Sequence, residues 1–209
     1  MTERRVLIYG DSNSFGTAPM QSLMDDGVIP RGARWGDVLA RGLGDGWEVL
    51  IEGLPGRTTV FDDPIEGAYR NGLTVLPAIL HSHKPIDHLL ICLGANDQKH
   101  RFQLRAEDVA LGVARLVREA RLSDTVGKVL VICPPPVKLS GPLAEMFDGI
   151  DDRSAGLSDM MEVHARAEGA AFFDAGSVIE VDPIDGVHWS EAAHRRLGAA
   201  LVEVVRTLE

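Results

Sequence analysis

Four short blocks of this chain combine residue types that can do chemistry. Gly10-Asp11-Ser12-Asn13-Ser14 follows an apolar run, so Ser12 is placed at the carboxyl end of a strand, where the next backbone N–H groups can face a ligand. A phosphate-binding or capping turn fits the same residues. No Gly-x-Ser-x-Gly elbow and no Ser-x-x-Lys occurs, which closes those routes to an activated serine. Glu52-Gly53-Leu54-Pro55-Gly56-Arg57-Thr58-Thr59 follows a second run. Its glycines permit a turn with an inward-facing amide, the donor an oxyanion hole needs, although they also suit an ordinary strand-to-loop turn. In Gly94-Ala95-Asn96-Asp97, after a third run, the Asn96 amide can be directed at a developing oxyanion or can merely shape the turn.

The fourth block, Asp185-Gly186-Val187-His188-Trp189-Ser190, precedes the last helical pattern. Ser190 reads as that helix's N-cap, which puts His188 on the loop ahead of it. Asp185, three residues earlier, can accept Nδ1–H from His188 and leave Nε2 free to take a serine proton. Asp97-Gln98-Lys99-His100 has the same spacing and is the rival pair. Asp185/His188 is preferred because Asp97 already belongs to the third block and His100 leads into a polar stretch. His81, His83, His164 and His194 read as structural or surface residues. His81-Ser82-His83 is a poor metal pair, since i, i+2 spacing on a helix separates the rings.

These blocks need elements to hold them. Five runs read as strands: Val6–Tyr9, Glu48–Ile51, His88–Leu93, Lys128–Cys133 and Ala171–Phe173. The third and fourth are apolar without alternation, as strands covered on both faces are. Helical patterns lie between them: Trp35, Val38, Leu39 and Leu43; Val109, Val113, Leu116, Val117 and Ala120; Leu157, Met160, Met161 and His164; Leu197, Leu201, Val204, Val205 and Leu208. Thr74 is placed to cap a further helix, with Pro77 in its first turn. Alternating strands and helices predict βαβ units in a three-layer α/β/α sandwich. Two long connections, Thr17–Arg34 and Pro134–Arg153, each follow a strand's carboxyl end, where α/β sheets keep their sites. No second domain is visible, so residues 1–209 are read as one.

Composition narrows the function classes. The chain has 209 residues, 45% hydrophobic and 25% charged, with formal net charge −10. A surface that acidic repels phosphate backbones and anionic membranes. No apolar run approaches the length of a membrane span, and the start does not read as a signal peptide. Cys92 and Cys133 both sit within apolar runs and read as buried thiols, which suits a reducing cytoplasm.

Taken together, in this order and spacing, the four blocks resemble those of the SGNH hydrolases of the GDSL esterase family, over essentially the whole chain. The small arylesterase and acyltransferase branch is suggested by Arg34-Trp35, by Glu52-Gly53-Leu54 with Arg57-Thr58-Thr59, and by Asp62-Asp63-Pro64. Pro134-Pro135-Pro136 and Phe172-Phe173-Asp174-Ala175-Gly176-Ser177 point the same way. The resemblance implies a flavodoxin-like five-stranded parallel sheet of order 2-1-3-4-5 with the site at its carboxyl edge. It makes Ser12 the nucleophile, Asp185 and His188 its partners, and the Ser12 amide, the Gly56 amide and the Asn96 side chain the oxyanion donors. Gly53 is the other candidate for the amide, and Gly56 is favoured by its place before Arg57-Thr58-Thr59. Two departures stand out: Asn13 replaces the leucine of the namesake motif, and Gly56 stands where close relatives have alanine.

The expected chemistry is hydrolysis of short-chain esters through an acyl-enzyme, with transfer to alcohols as a second outcome and no metal or cofactor required. Phe15, Thr17 and Trp189 flank the blocks and are expected in the pocket walls, plain packing being the alternative. The resemblance also implies a homo-oligomer in which subunits wall in the site, with Met20, Leu23, Met24, Ile29, Leu143, Met146 and Phe147 of the two long connections available for burial. A flavodoxin-like module that binds a small ligand without catalysis is the competing reading. Against it, no Gly-x-Gly-x-x-Gly or Walker loop follows the first strand, and Asp11 would repel phosphate.

Overall fold

A computed structural model describes residues 4–208. The five apolar runs form strands β1 (Arg4–Gly10), β2 (Trp47–Gly53), β3 (Ile86–Cys92), β4 (Val126–Cys133) and β5 (Ala171–Asp174). All pair in parallel, in the order β2-β1-β3-β4-β5, as expected. The helices are α1 (Ser12–Phe15), α2 (Trp35–Leu43), α3 (Gly72–His83), α4 (Ala106–Leu122), α5 (Ile150–Arg153), α6 (Leu157–Ala167) and α7 (Glu191–Arg206). None among the described residues is long and apolar enough to cross a membrane.

The central strands are apolar on both sides because both sides are covered. Leu7, Tyr9, Leu89, Ile91, Val129 and Val131 pack with α3, α4 and α6. Their sequence neighbours Val6, Ile8, Leu90, Leu130 and Ile132 pack with α2 and α7. A buried leucine or isoleucine contributes about 1.5–3 kcal/mol, so this double layer is the main driving force of the fold. A third, smaller core of Ala95, Val137, Leu143, Phe147, Ile150 and Val187 lies under the long connection after β4 and holds it over the carboxyl edge of the sheet.

One helix start differs from the expectation. Asn71, not Thr74, caps α3, its side-chain oxygen accepting from Leu73 N at 2.9 Å and Thr74 N at 3.3 Å. The Asn71 amide also donates to Val60 O and Asp62 Oδ1, so tertiary contacts fix the cap three residues upstream. Pro77 therefore sits inside the helix, beyond its first turn, where it removes one intrahelical hydrogen bond.

His194, in the first turn of α7, is wholly buried and joins the two helices of one face. Its Nδ1 accepts from the N–H of Trp35 at 3.2 Å, supplying the partner that the open end of α2 lacks. Burial pushes its pKa down to about 4, and the nearby positive charge of Arg34 acts in the same direction. The unfolded chain therefore takes up this proton first as pH falls, and the associated stability is lost from about 6.5 downward. Between pH 7 and pH 5 the native protein should lose on the order of 2 kcal/mol more unfolding free energy than His194→Gln. Urea denaturation at both pH values measures this, and parallel losses would contradict a neutral, buried His194.

Candidate active site

The site is assembled on turns at the carboxyl ends of the strands. Directly after β1, Asp11 accepts the N–H of Asn13 at 3.0 Å and caps the one-turn helix α1, which Gly16 ends in a left-handed conformation. Ser12 is thereby held at the first helical position, with its side chain on the wall of a cavity.

Asp185 organises the opposite side. Its carboxylate is fully buried and receives four hydrogen bonds, from Val187 N and His188 N on Oδ1 (2.9 Å each), and from Met20 N (2.8 Å) and His188 Nδ1 (2.7 Å) on Oδ2. Burial pushes its pKa up, but the hydrogen bond and charge of His188 and the amides of Val187 and Met20 outweigh it and hold the carboxyl below the usual range. With Nδ1–H given to Asp185, Nε2 of His188 accepts the Ser12 hydroxyl at 3.2 Å. Such a chain can take a proton from a serine as the serine attacks a carbonyl carbon.

Donors converge beside Ser12. Among the described residues neither the Ser12 nor the Gly56 N–H has a hydrogen-bond partner, and both residues line the cavity. Asn96 lines it too, its side-chain amide lying 3.2 Å from Arg57 O and 3.4 Å from Asp11 Oδ2. Gly53 is placed otherwise: it pairs with Gly10 at the end of the β1–β2 ladder, and a Cβ there would overlap the backbone of Phe15. Gly53 thus lets α1 approach the sheet, whereas Gly56 borders the cavity. The buried Arg57 guanidinium ties the strand ends, donating to Gly10 O at 2.8 Å and to Glu52 O, and stands 4.1 Å from the Tyr9 ring centre.

The rival pair does not form. Asp97 is buried and spends Oδ1 on Thr59, 2.9 Å from its N–H and 2.5 Å from its hydroxyl, which fastens the turn after β3 to the one after β2. His100 is exposed and contacts Asp148 O at 3.2 Å. His83 pairs with Glu52 at 2.8 Å, and no group of three or more His, Cys, Asp or Glu among the described residues is placed to hold a metal ion. Burial raises both Asp11 and Asp97 to about 6.

The cavity measures about 720 Å³. Its walls include Phe15 and Thr17, as expected, with Met20, Leu23, Val28, Leu143, Met146 and Phe147 from the two long connections. Trp189 is a correction: it is buried in the core beneath α2 and α7, its ring 5.5 Å from that of His194, and does not border the cavity. Glu66, Arg70 and Lys99 form a charged wall that the motifs did not announce, since it reaches the cavity only through tertiary folding. Asn13, the departure from the namesake motif, is buried and donates to Val187 O at 3.2 Å, joining the Ser12 turn to the His188 loop. A cavity of about 550 Å³ at the opposite edge of the sheet contains none of the candidate residues.

Known proteins share this architecture. The GDSL-like lipase/acylhydrolase family model matches residues 8–196. An aryl esterase from M. smegmatis, in its inhibitor-bound form, is 38% identical, with a TM-score of 0.93 and coverage of 99% of this chain and 100% of its own. A carbohydrate acetylesterase from Sinorhizobium meliloti is 37% identical, with a TM-score of 0.92 and coverage of 97% and 98%. No curated protein matches in sequence. With a family model spanning nearly the whole chain and solved relatives of this identity at full coverage, the chain belongs to the GDSL-like lipase/acylhydrolase family.

Proposed function

We propose that this protein is a serine esterase acting on short-chain carboxylic esters, aryl or alkyl acetates and acetylated carbohydrates among them. The observation that carries the reading is the unbroken chain Ser12–His188–Asp185 on the wall of a largely apolar cavity, beside two unpartnered backbone N–H groups. The aryl esterase and carbohydrate acetylesterase named above support the substrate class. A phosphate-binding module fits the site poorly, because the buried Asp11 carboxylate already takes the Asn13 N–H that such a turn would offer an anion.

In this reading His188 Nε2 takes the Ser12 proton as Oγ attacks the ester carbonyl. The imidazolium then pairs with Asp185, whose four hydrogen bonds keep it ionised. The tetrahedral oxyanion is received by the Ser12 and Gly56 amides and the Asn96 amide, each worth about 3–4 kcal/mol in serine hydrolases generally. His188 returns its proton to the departing alcohol and leaves the acyl group on Ser12 Oγ. Water, or an alcohol, is then activated by the same histidine and releases it.

A fluorophosphonate probe tests the central assignment, since it modifies only an activated serine. Native protein should be labelled at Ser12, whereas Ser12→Ala and His188→Ala should be unlabelled and inactive on p-nitrophenyl acetate. His100→Ala should retain nearly full activity, and the reverse pattern would move the histidine's role to His100. Asn96→Ala should lower kcat by on the order of 10²–10³ with KM little changed. An effect confined to KM would make Asn96 a substrate-binding residue instead.

We further propose that a second copy of this chain packs over the cavity. Leu143, Phe147 and Ile29 are already buried in their own chain, so they offer nothing to a partner. Leu23, Met24, Val28, Ile65 and Tyr69 are exposed. A second copy covering them would close the site to bulk water and favour transfer of the acyl group to an apolar alcohol. Sedimentation should show an oligomer, and a vinyl ester with benzyl alcohol in mostly aqueous buffer should yield the benzyl ester. A monomer would remove the first claim, and free acid as sole product the second.

A further inference from the structure

Arg70 precedes α3 and is held against the Gly56 turn through its backbone, its carbonyl accepting the Thr58 N–H at 3.0 Å. Its Nη1 donates to the Pro55 carbonyl at 2.9 Å and to Glu66 Oε2 at 2.6 Å. The Pro55 C=O and the Gly56 N–H belong to one planar peptide unit. A cation therefore sits on the oxygen of the very peptide whose N–H is unpartnered at the cavity wall. A charged donor on the carbonyl draws electron density toward oxygen and makes the N–H at the other end a stronger donor. It also fixes the plane of the peptide, so the N–H cannot tilt away.

The surroundings keep this guanidinium in place without cancelling it. Glu66 holds Arg70 through Oε2, and through Oε1 it meets Lys99 Nζ at 2.7 Å and Arg101 Nη2 at 3.1 Å. Arg101 in turn pairs with the buried Asp63 at 3.0 Å, and Lys99 Nζ is 3.9 Å from it. Three cations thus share two carboxylates. Gly56 has φ +79°, and a Cβ on it would overlap Arg70 Nη1, so glycine there leaves the room the guanidinium occupies.

We propose that Arg70 is a positioning residue for the oxyanion site, orienting and polarising the Pro55–Gly56 peptide, whose glycine adopts a left-handed φ and leaves the guanidinium its room. This rests on the serine esterase reading. Arg70→Met should lower kcat for p-nitrophenyl acetate by on the order of tenfold with KM within about twofold, and should weaken an alkyl boronic acid, whose serine adduct is a tetrahedral anion, by a similar factor. Guanidinium ion added to Arg70→Ala should restore part of kcat. Unchanged kcat per folded molecule or a change in KM alone would each overturn the proposal. Fluorophosphonate labelling separates the two failures: an unlabelled native Ser12 defeats the esterase reading itself, whereas a labelled Ser12 with undiminished Arg70→Met defeats only the role of Arg70.

Discussion

The buried carboxylate of Asp185 is the constraint on which the rest of the site depends. Removing a carboxylate from water costs several kcal/mol unless its lone pairs are met, and here four N–H donors meet them. Those donors come from two distant segments, Met20 in the connection after α1 and Val187 with His188 in the loop before α7. One satisfied charge therefore sets the imidazole tautomer, closes its own loop into a tight turn and pins the connection that forms one cavity wall. Replacing Asp185 by a neutral residue would disturb all three together, because they share one acceptor.

A second buried carboxylate performs the analogous task on the other side. Asp97 fastens Thr59, and with it the turn bearing Gly56, to the end of β3 that carries Asn96. Arg57 closes the same unit from below through the carbonyls of Gly10 and Glu52, while its own carbonyl receives the Asn96 amide. The turns after β1, β2 and β3 are thus one hydrogen-bonded body. Preorganisation of this kind is what lets donors act on a transition state without paying to reorient. Asp11 and Asp97 are both pushed up to about 6 by burial, so the charge beside Ser12 depends on pH in the weakly acidic range.

The cavity walls divide by origin. Ser12, Gly56 and Asn96 come from turns directly after strands, whereas the apolar lining of Met20, Leu23, Val28, Leu143, Met146 and Phe147 comes from the two long connections. Leu143 and Phe147 belong to a small core of their own and sit firmly, while Leu23 and Met24 stand in water. Rigid chemistry with a variable lining is the usual division of labour in α/β folds, where loops carry specificity.

The strands, the flanking helices and the spacings of the four site blocks are legible in the chain because each leaves a local trace, whereas the order of the sheet leaves none and follows only from the family resemblance. Doubly covered strands read as unbroken apolar runs such as Leu89–Leu93, helices as a 3.6-residue stripe, and the Asp185-x-x-His188 pair and Ser190 cap as spacings within one turn. Where spacing alone leaves two choices equal, the tertiary structure shows what each residue touches. Asp97 and His100 have the same separation as Asp185 and His188, and only the placement of Thr59 commits Asp97 elsewhere. Gly53 and Gly56 are equally permissive as residues, but one is crossed by α1 and the other opens on the cavity. Trp189 lies beside a site residue in the chain, but its ring is drawn into the core with Trp35, Leu39 and Leu197. Arg70 had no signal at all, because its meaning lies in a hydrogen bond to Pro55, 15 residues away, that exists only once the chain has folded.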